Sequence, residues 1–311
     1  MGHFDLALDD LRTYAPDLVV PDGLTTFWRD TLTQARTHDL AATFTAHDAG
    51  LSVIDTFDVT FAGFGGAPVR AWLHLPAGAT QPLPTVVEYV GYGGGRGLAH
   101  ERTLYAQAGW AHVVVDTRGQ GSGWSVGDTA DPDTTGAPRA RGVLTDGILD
   151  PHTHYYRRVY VDSVRAIEAV REHPLVDDDR VAVTGASQGG GITIAVAALT
   201  DGLVGAAPDV PFLSDFPRAA TLLNEEPYAE VTVYLATHRA HVEQARRTLA
   251  HLDVAILGRC ATAPALFPVG LMDVICPPST VYAATTTTAV RRTSASIPTT
   301  TTRAAASFTT W

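Results

Sequence analysis

The chain has 311 residues, of which 45% are hydrophobic and 18% are charged, and its formal net charge is −11. This is enough apolar material for one large buried core, and α/β folds often reach such a length as a single domain. The acidic balance argues against nucleic acid and anionic membrane surfaces as partners, because both require basic patches.

Two cysteines, Cys260 and Cys276, are too few for a zinc cluster or a disulfide framework. We expect them to be buried thiols in a reducing compartment. The N-terminus, M-G-H-F-D-L-A-L-D-D-L, has neither a basic region nor an unbroken apolar run, and no stretch approaches about 18 apolar residues. Neither a signal peptide nor a membrane span is therefore expected, which predicts a cytoplasmic protein.

The first predicted elements are helices and then a strand pair. Residues 5–13 and 25–37 show helical spacing of apolar side chains. Residues 51–76 are strand-like on both sides of the Gly-rich turn A-G-F-G-G-A, which predicts an antiparallel pair. We treat residues up to about 50 as an N-terminal extension.

The rest of the chain alternates short apolar runs with helical stretches. Unbroken apolar runs between helices are typical of a parallel sheet that is buried on both faces. The runs are 85–90, 112–116, 180–184 and 265–269, and helices are predicted over 153–172 and 188–200. Residues 117–150 are predicted to be a long excursion from the sheet, and residues 210–255 a helical insertion. The predicted fold is one α/β domain over 1–311, with a mostly parallel sheet and helices on both faces.

A serine motif follows the predicted strand at 180–184. The segment G-A-S-Q-G-G-G (185–191) puts Ser187 in a G-x-S-x-G pattern immediately before an apolar helix. A sharp strand-to-helix turn would hold Ser187 in a strained conformation with its hydroxyl exposed, and the flanking glycines let the two arms close together. The N–H of Gln188, at the helix start, would face a developing oxyanion. Ser187 is therefore predicted to be a nucleophile, the alternative being a chance match in a Gly-rich chain.

The motif indicates the α/β-hydrolase fold, in which the catalytic acid follows the serine on the loop after a later strand. Asp273 occupies that position, after the predicted strand 265–269, and Pro277 and Pro278 are expected to start a helix. The alternative is that Asp273 caps that helix.

The loop V-G-Y-G-G-G-R-G (90–97) follows the predicted strand 85–90. Its glycines let the backbone approach a substrate, so Tyr92 is expected to give a second N–H to the oxyanion while its ring walls a small acyl pocket. A phosphate-binding loop is the rival, but no P-loop lysine follows. His152 and His154 form an H-x-H without further ligands nearby, so neither a metal nor a cofactor is expected.

Taken together, the motifs resemble the acetyl xylan esterase and cephalosporin C deacetylase family, carbohydrate esterase family seven. The resemblance runs from about residue 4 to 284. The matching stretches are G-Y-G-G (91–94), D-T-R-G-Q-G-S (116–122), H-Y-Y-R-R-V-Y-V-D-S-V-R-A-I-E-A (154–169), G-A-S-Q-G-G (185–190), D-V-P-F-L-S-D-F (209–216) and G-L-M-D-V-I-C-P-P-S-T (270–280).

The resemblance implies an α/β-hydrolase fold and a serine esterase that acts on small acetyl esters, including acetylated xylo-oligosaccharides and cephalosporin C. It also implies a ring-shaped homohexamer. The implied roles are Ser187 as nucleophile, Asp273 as acid, Tyr92 and Gln188 as oxyanion donors, and Arg118 and Gln120 of the R-G-Q motif as structural braces of the active-site loops. The alternatives for the function are a catalytically inactive paralogue that serves as a binding or assembly subunit, and a peptidase or lipase on the same fold.

One part of the family pattern is missing from the chain. The pattern places a histidine, followed by E-G-G, after the acid, whereas the last histidine here is His251. Residues 285–311 are instead rich in threonine, which makes up 11 of these 27 residues. The chain as written therefore lacks the expected general base.

A shift of reading frame explains the threonine-rich segment. In a G+C-rich gene the codons of Tyr, His, Asn and Asp end in AC, so reading one base late turns each into a threonine codon, while Glu becomes Arg and Gly becomes Ala. T-T-T-T-R-A-A-A (299–306) then corresponds to a terminus such as Y-N-D-H-E-G-G-G, with the catalytic histidine where Thr302 stands. We infer that one base is missing near the codon of Ala284, the rival being a natural Thr-rich linker or stalk. Residues 285–311 as written are expected to leave an apolar face and an edge of the sheet uncovered.

Overall fold

The computed structural model describes residues 4–132, 141–288 and 292–297, and the last of these segments is described by its backbone. The helices are α1 (Leu8–Thr13), α2 (Leu24–Ala35), α3 (Leu104–Gln107), α4 (Tyr155–Arg171), α5 (Gln188–Leu199), α6 (Phe216–Leu222), α7 (Ala229–Thr237), α8 (Val242–Ala250), α9 (Val254–Leu257) and α10 (Pro278–Thr287). The strands are β1 (Thr43–His47), β2 (Ile54–Ala62), β3 (Pro68–Pro76), β4 (Leu83–Tyr89), β5 (Ala111–Val115), β6 (Val176–Ala186), β7 (Leu203–Asp209), β8 (Ala265–Gly270) and β9 (Arg292–Ile297).

The strands form one sheet in the order β1-β2-β3-β5-β4-β6-β7-β8-β9. The first four strands in that order pair antiparallel, and every pair from β5 onward is parallel. The mostly parallel sheet with helices on both faces is thus confirmed. The predicted antiparallel pair corresponds to β2 and β3, whose register joins Ile54 to Pro76 and Ala62 to Pro68.

Three strands were not predicted, namely β1, β7 and β9, and the first two have a local reason. β7 contains Gly205 and Pro208, which weaken a strand pattern, and it forms because β6 and β8 pair with it on either side. β1 is a polar, largely exposed edge strand, which lacks an apolar pattern and pairs antiparallel with β2. The helical insertion predicted between two late strands consists of α6 to α9. The expectation of two buried thiols is wrong for Cys260, which is exposed.

The largest part of the core lies under one face of the sheet. α5 is apolar around its circumference, since it packs against β4, β6 and β7 on one side and against α4 on the other. α4 is buried over most of its length and contributes three fully buried tyrosines, Tyr155, Tyr156 and Tyr160. Their hydroxyls bond to other buried groups, as a buried phenol requires. This layer fixes the carboxyl ends of the central strands, where β6 leads into α5.

The opposite face is thinly covered in the part of the chain that the structure describes, where the four-residue helix α3 packs against β3 and β5. A shallow cavity of about 530 Å³ lies over this face and is lined by small or apolar residues, including Ala182, Ala207 and Leu266. Leu266 is 43% exposed, although parallel sheets are usually buried on both faces.

The segment after α10 differs in one respect from what the frame-shift hypothesis predicts. The backbone of β9 pairs in parallel with β8 from Ala265↔Arg292 to Gly270↔Ile297, so the expectation of an uncovered edge at β8 is wrong. Strand pairing uses backbone N–H and C=O groups, which do not depend on the side-chain identities. Thr302 lies outside the described residues. None of the described helices is long and apolar enough to cross a membrane.

Candidate active site

Ser187 lies at the turn between β6 and α5 in a conformation that is rare for a residue with a side chain. Its φ is 56° and its ψ is −116°. The backbone around it holds this conformation, because Ser187 N–H donates to the Asp209 carbonyl at 3.0 Å and Phe212 N–H donates to the Ser187 carbonyl at 2.9 Å. Strain of this kind persists only where the surroundings over-determine it, and it is frequent at functional sites.

Two glycines let the strand and the helix come together at this turn. A Cβ at position 185 would lie 2.6 Å from the carbonyl carbon of Gly189 and 2.7 Å from the Tyr89 carbonyl oxygen. A Cβ at position 189 would lie 2.8 Å from the Tyr89 carbonyl carbon and nearer still to its oxygen. Any side chain here would push α5 away from β4. The glycines of G-x-S-x-G are thus required by close backbone approach.

The loop after β8 brings Asp273 close to the serine. Asp273 is buried, and its Oδ1 accepts N–H bonds from Ile275 and Cys276, both at 2.9 Å. The Cys276 thiol in turn lies 3.7 Å from Ser187 Oγ. α10 begins at Pro278, so Asp273 orders the preceding turn and is not the cap of that helix.

Asp209, at the end of β7, is a second buried carboxyl group beside this loop. Its side chain is almost fully buried, and its Oδ1 has no hydrogen-bond partner among the described residues. Burial raises the pKa of Asp209 to about 7, and the nearby negative charge of Asp273 contributes. This residue was not predicted, because its strand was not.

The loop after β4 presents Tyr92 beside the serine. Its N–H finds no acceptor in the part of the chain that the structure describes. The neighbouring amides are fixed, since Gly93 N–H donates to Gln120 Oε1 at 2.6 Å and Gly95 N–H donates to the Ser125 carbonyl at 3.0 Å. Gln188 begins α5, where the first N–H groups have no partner within the helix. Tyr92 and Gln188 therefore each carry a backbone donor at this end of the sheet.

The side chain of Gln188 has a different task from its N–H. It is fully buried, its Oε1 accepts from Gln120 and Tyr156, both at 2.8 Å, and its Nε2 donates to the Val90 carbonyl at 3.1 Å. Gln120 also donates to Tyr155 Oη at 2.9 Å. This network joins α4, α5 and both site loops, so the two glutamines fix the loops from below.

Arg118 forms a buried ion-pair cluster under the same loops. Its Nε and Nη2 donate to Asp162 at 2.5 and 2.7 Å, and its Nη1 lies 3.5 Å from Asp131 Oδ1. Its carbonyl accepts the Tyr155 hydroxyl proton at 2.5 Å. Burial alone would lower the pKa of Arg118, but Asp162 and then Asp131 outweigh it and keep that pKa above its ordinary value. Arg118 thus contacts the loops from the core and lies away from the cavity beside Ser187.

The Tyr92 side chain is held by a residue that was not predicted. Tyr92 Oη donates to Glu230 Oε1, on α7, at 2.6 Å. Glu230 also accepts from Gly142 N–H at 2.8 Å and Leu144 N–H at 3.1 Å. Burial is the main cause, and the hydrogen bond to Glu230 the second, of a pKa of the Tyr92 hydroxyl far above its ordinary value. One carboxylate thereby connects the helical insertion, the 141–144 loop and the ring beside Ser187.

A cavity of about 1190 Å³ opens above Ser187 and Tyr92. Its other walls include Trp124 and His112, and His112 is the only histidine among the described residues that line it. His112 Nε2 lies 3.0 Å from Glu88 Oε2, and Glu88 is also paired with Arg102. His112 therefore belongs to a polar cluster with Glu88 and Arg102.

The H-x-H pair has a structural role. His154 precedes α4 as its N-cap, accepting from Tyr156 N–H at 3.1 Å, and its Nε2 lies 3.2 Å from the Leu144 carbonyl. Burial lowers the pKa of His154 to about 4, so the ring is neutral. The described contacts of His152 and His154 are thus those of a helix start.

The sheet order and the serine at the turn from β6 into α5 define this protein as an α/β-hydrolase. Comparison with known proteins narrows the class: the acetyl xylan esterase (AXE1) family model matches residues 1–310. The chain belongs to the acetyl xylan esterase family.

Solved structures and a curated relative agree with this membership. An acetyl xylan esterase from Paenibacillus sp. R4 is 33% identical with a TM-score of 0.89, covering 96% of this chain and 94% of its own. Acetyl xylan esterase 1 from Thermoanaerobacterium sp. JW/SL YS485 is 29% identical with a TM-score of 0.87 and the same coverage. The acetyl esterase Axe7A of Xylanibacter ruminicola is 29% identical over 180 residues, which make up 58% of this chain and 40% of that protein.

Proposed function

We propose that the chain is built as a serine esterase of carbohydrate esterase family seven, which removes acetyl groups from acetylated xylo-oligosaccharides and other small acetyl esters, cephalosporin C among them. The observation that carries the proposal is the strained turn at Ser187, which opens into a cavity beside the N–H of Tyr92, a group with no acceptor among the described residues. A serine nucleophile and an oxyanion donor are two of the three groups that acyl transfer requires, the third being a general base.

In this mechanism Ser187 Oγ attacks the acetyl carbonyl carbon, and its proton passes to a general base. The resulting oxyanion accepts hydrogen bonds from the N–H groups of Gln188 and Tyr92. Collapse of the tetrahedral intermediate breaks the ester bond, and the sugar alcohol leaves with the proton. Water then attacks the acetyl-serine, which releases acetate and restores the hydroxyl. Asp273 is assigned to hold the base in the correct tautomer.

The general base is the part that this chain does not supply in the expected place, since no histidine follows Asp273. We attribute this to the loss of one base near codon 284, which replaces the histidine with Thr302. Within the described part of the chain, the sheet face around Leu266 is thinly covered. This supports the account, because an apolar C-terminal helix would bury that face and a Thr-rich segment is poorly suited to do so.

Nucleotide sequencing around codon 284, followed by insertion of one base, tests the proposal. The frame-restored protein should hydrolyse acetyl esters, whereas Thr302→His without frame correction should not. In the restored protein, Ser187→Ala should lower kcat/KM on the order of a million-fold, and Asp273→Asn roughly ten-thousand-fold. Soluble, fully active 311-residue protein would refute the account of the tail, and activity that survives Ser187→Ala would refute the nucleophile.

The missing histidine also supports a second candidate, a catalytically inactive paralogue that binds acetylated sugars or assembles with active relatives. The two candidates separate on the DNA. If no frame after codon 284 encodes a histidine followed by E-G-G, the inactive paralogue is the better account. The ring-shaped homohexamer stays a prediction in both cases, and light scattering coupled to gel filtration measures it.

A further inference from the structure

Trp124 is the exposed aromatic side chain closest to the chemistry of the site. The residue is 58% exposed, although an indole ring normally contributes more by burial. It lines the same cavity as Ser187 and Tyr92. Trp110 is comparably exposed, at 41%, but does not line that cavity. An indole surface is thus available to a ligand beside the nucleophile.

The ring is fixed before any ligand arrives. Trp124 Nε1–H donates to the Tyr92 carbonyl at 2.8 Å. The ring packs against the glycines of the 91–95 loop so closely that a Cβ at Gly94 would lie 2.6 Å from Trp124 Cε2. Gly123 N–H donates to the Gly93 carbonyl at 2.8 Å, which ties the two loops together next to the ring. A ligand that stacks here pays little for ordering the side chain.

The surroundings of the ring select the kind of ligand. The Arg102 guanidinium carbon lies 5.5 Å from the Trp124 ring centroid, and Glu101, Arg141 and Glu226 line the same cavity. A flat apolar surface bordered by charges of both signs matches a pyranose ring, which presents C–H groups on its faces and hydroxyls around its edge. A long acyl chain would need a continuous apolar wall, which these charged groups interrupt.

We propose that Trp124 is the stacking platform for the sugar ring that carries the acetyl ester. The inference rests on the proposed function, because Ser187 defines where the acetyl carbonyl must lie. The acetyl group then points toward Tyr92, and the sugar lies against the indole. Trp124 acts through binding and positions the ester for attack.

Binding is measured on the full 311-residue chain carrying Ser187→Ala, so that no turnover is needed. Acetylated xylobiose is titrated by calorimetry into this protein and into versions that also carry Trp124→Leu, Trp124→Phe or the matched control Trp110→Leu. We expect Trp124→Leu to weaken the Kd about ten-fold, Trp124→Phe to restore most of the affinity, and Trp110→Leu to have no effect. Equal affinity in the parent and Trp124→Leu proteins, or no binding in the parent, overturns the proposal.

A second measurement separates stacking from support of the Tyr92 loop and does not require the leucine variant to fold. The unsubstituted chain labelled with 5-fluorotryptophan is titrated with acetylated xylobiose and, separately, with methyl acetate. The ¹⁹F resonance that Trp124→Phe removes should shift with the sugar ester and not with methyl acetate, while that of Trp110 stays fixed. Shifts of equal size with both esters overturn the platform. If Ser187→Ala leaves hydrolysis intact in the frame-restored enzyme while the sugar still shifts the Trp124 resonance, the proposed function fails and the platform stands.

Discussion

Replacing Arg118 with methionine tests how strongly the buried ion-pair cluster stabilises the fold. The side chains of Arg118, Asp131 and Asp162 are 1%, 0% and 4% exposed. Removing one partner of a buried pair leaves an uncompensated charge, at a cost of about 3–5 kcal/mol. Asp131 keeps a 2.8 Å contact with Arg158, and Asp162 keeps the N–H of Phe64 at 2.8 Å. We therefore expect a loss at the low end of that range, about 3 kcal/mol.

The free energy of unfolding is measured by urea titration at pH 7, with far-ultraviolet circular dichroism as the signal. In a thermal melt the melting temperature should fall by roughly 6–12 °C. The matched control is Arg246→Met, whose pair with Glu243 is 64% and 74% exposed and should contribute less than about 1 kcal/mol. Adding Asp162→Asn to Arg118→Met should recover stability, because it removes the stranded charge. A loss below about 1 kcal/mol for Arg118→Met, or a double variant less stable than the single one, would refute the reasoning.

Three further predictions use other contacts of the site. Gly189→Ala adds a methyl group against the backbone of the neighbouring strand, and calorimetry should register a destabilisation of about 1–3 kcal/mol; an unchanged melting temperature would contradict the close approach. Asp209 has a folded pKa of about 7, raised by burial and by Asp273. Its favourable contribution is complete below about pH 4 and is lost as the pH rises through 7. Asp209→Asn should therefore be more stable than the parent at pH 8, by at most about 4 kcal/mol, with the advantage vanishing near pH 4 in urea titrations; an advantage independent of pH would rule this out. In the frame-restored enzyme, Glu230→Ala frees the Tyr92 ring, so the ratio of kcat/KM for butyryl over acetyl esters should rise about ten-fold. Tyr92→Phe is the matched variant, because it removes the same hydrogen bond. An unchanged ratio in both variants would show that this contact does not set acyl size.

The elements that the sequence predicted well are those with a strong local pattern. β4, β5 and β6 each contain a short, mostly apolar run, and α5 follows a glycine-rich turn, so a few residues suffice to predict each element. β7 could not be predicted in this way, because its Gly and Pro residues interrupt the strand pattern and the strand depends on pairing with neighbours on both sides.

The site was predictable to the same extent. Ser187 and Asp273 could be proposed because their motifs adjoin strands, and their catalytic roles stay predictions. Glu230 could not be found, since it lies 138 residues from Tyr92 and sits on a helix recognisable only as part of an insertion. Trp124 belonged to a segment described merely as an excursion. Such contacts are set by tertiary structure, and no local spacing encodes them.

The 91–97 and 120–127 segments form one interlocked unit. Gly94 has no room for a side chain because of the Trp124 ring, and a Cβ at Gly95 would lie 2.5 Å from the Gly127 nitrogen. Backbone bonds from Gly95 to Ser125 and from Gly97 to Val126 close the seam. In a chimaera that takes only one of the two segments from a relative, a side chain on one segment could clash with the backbone of the other. Transplanting the site to another scaffold therefore means moving both segments as a single cassette.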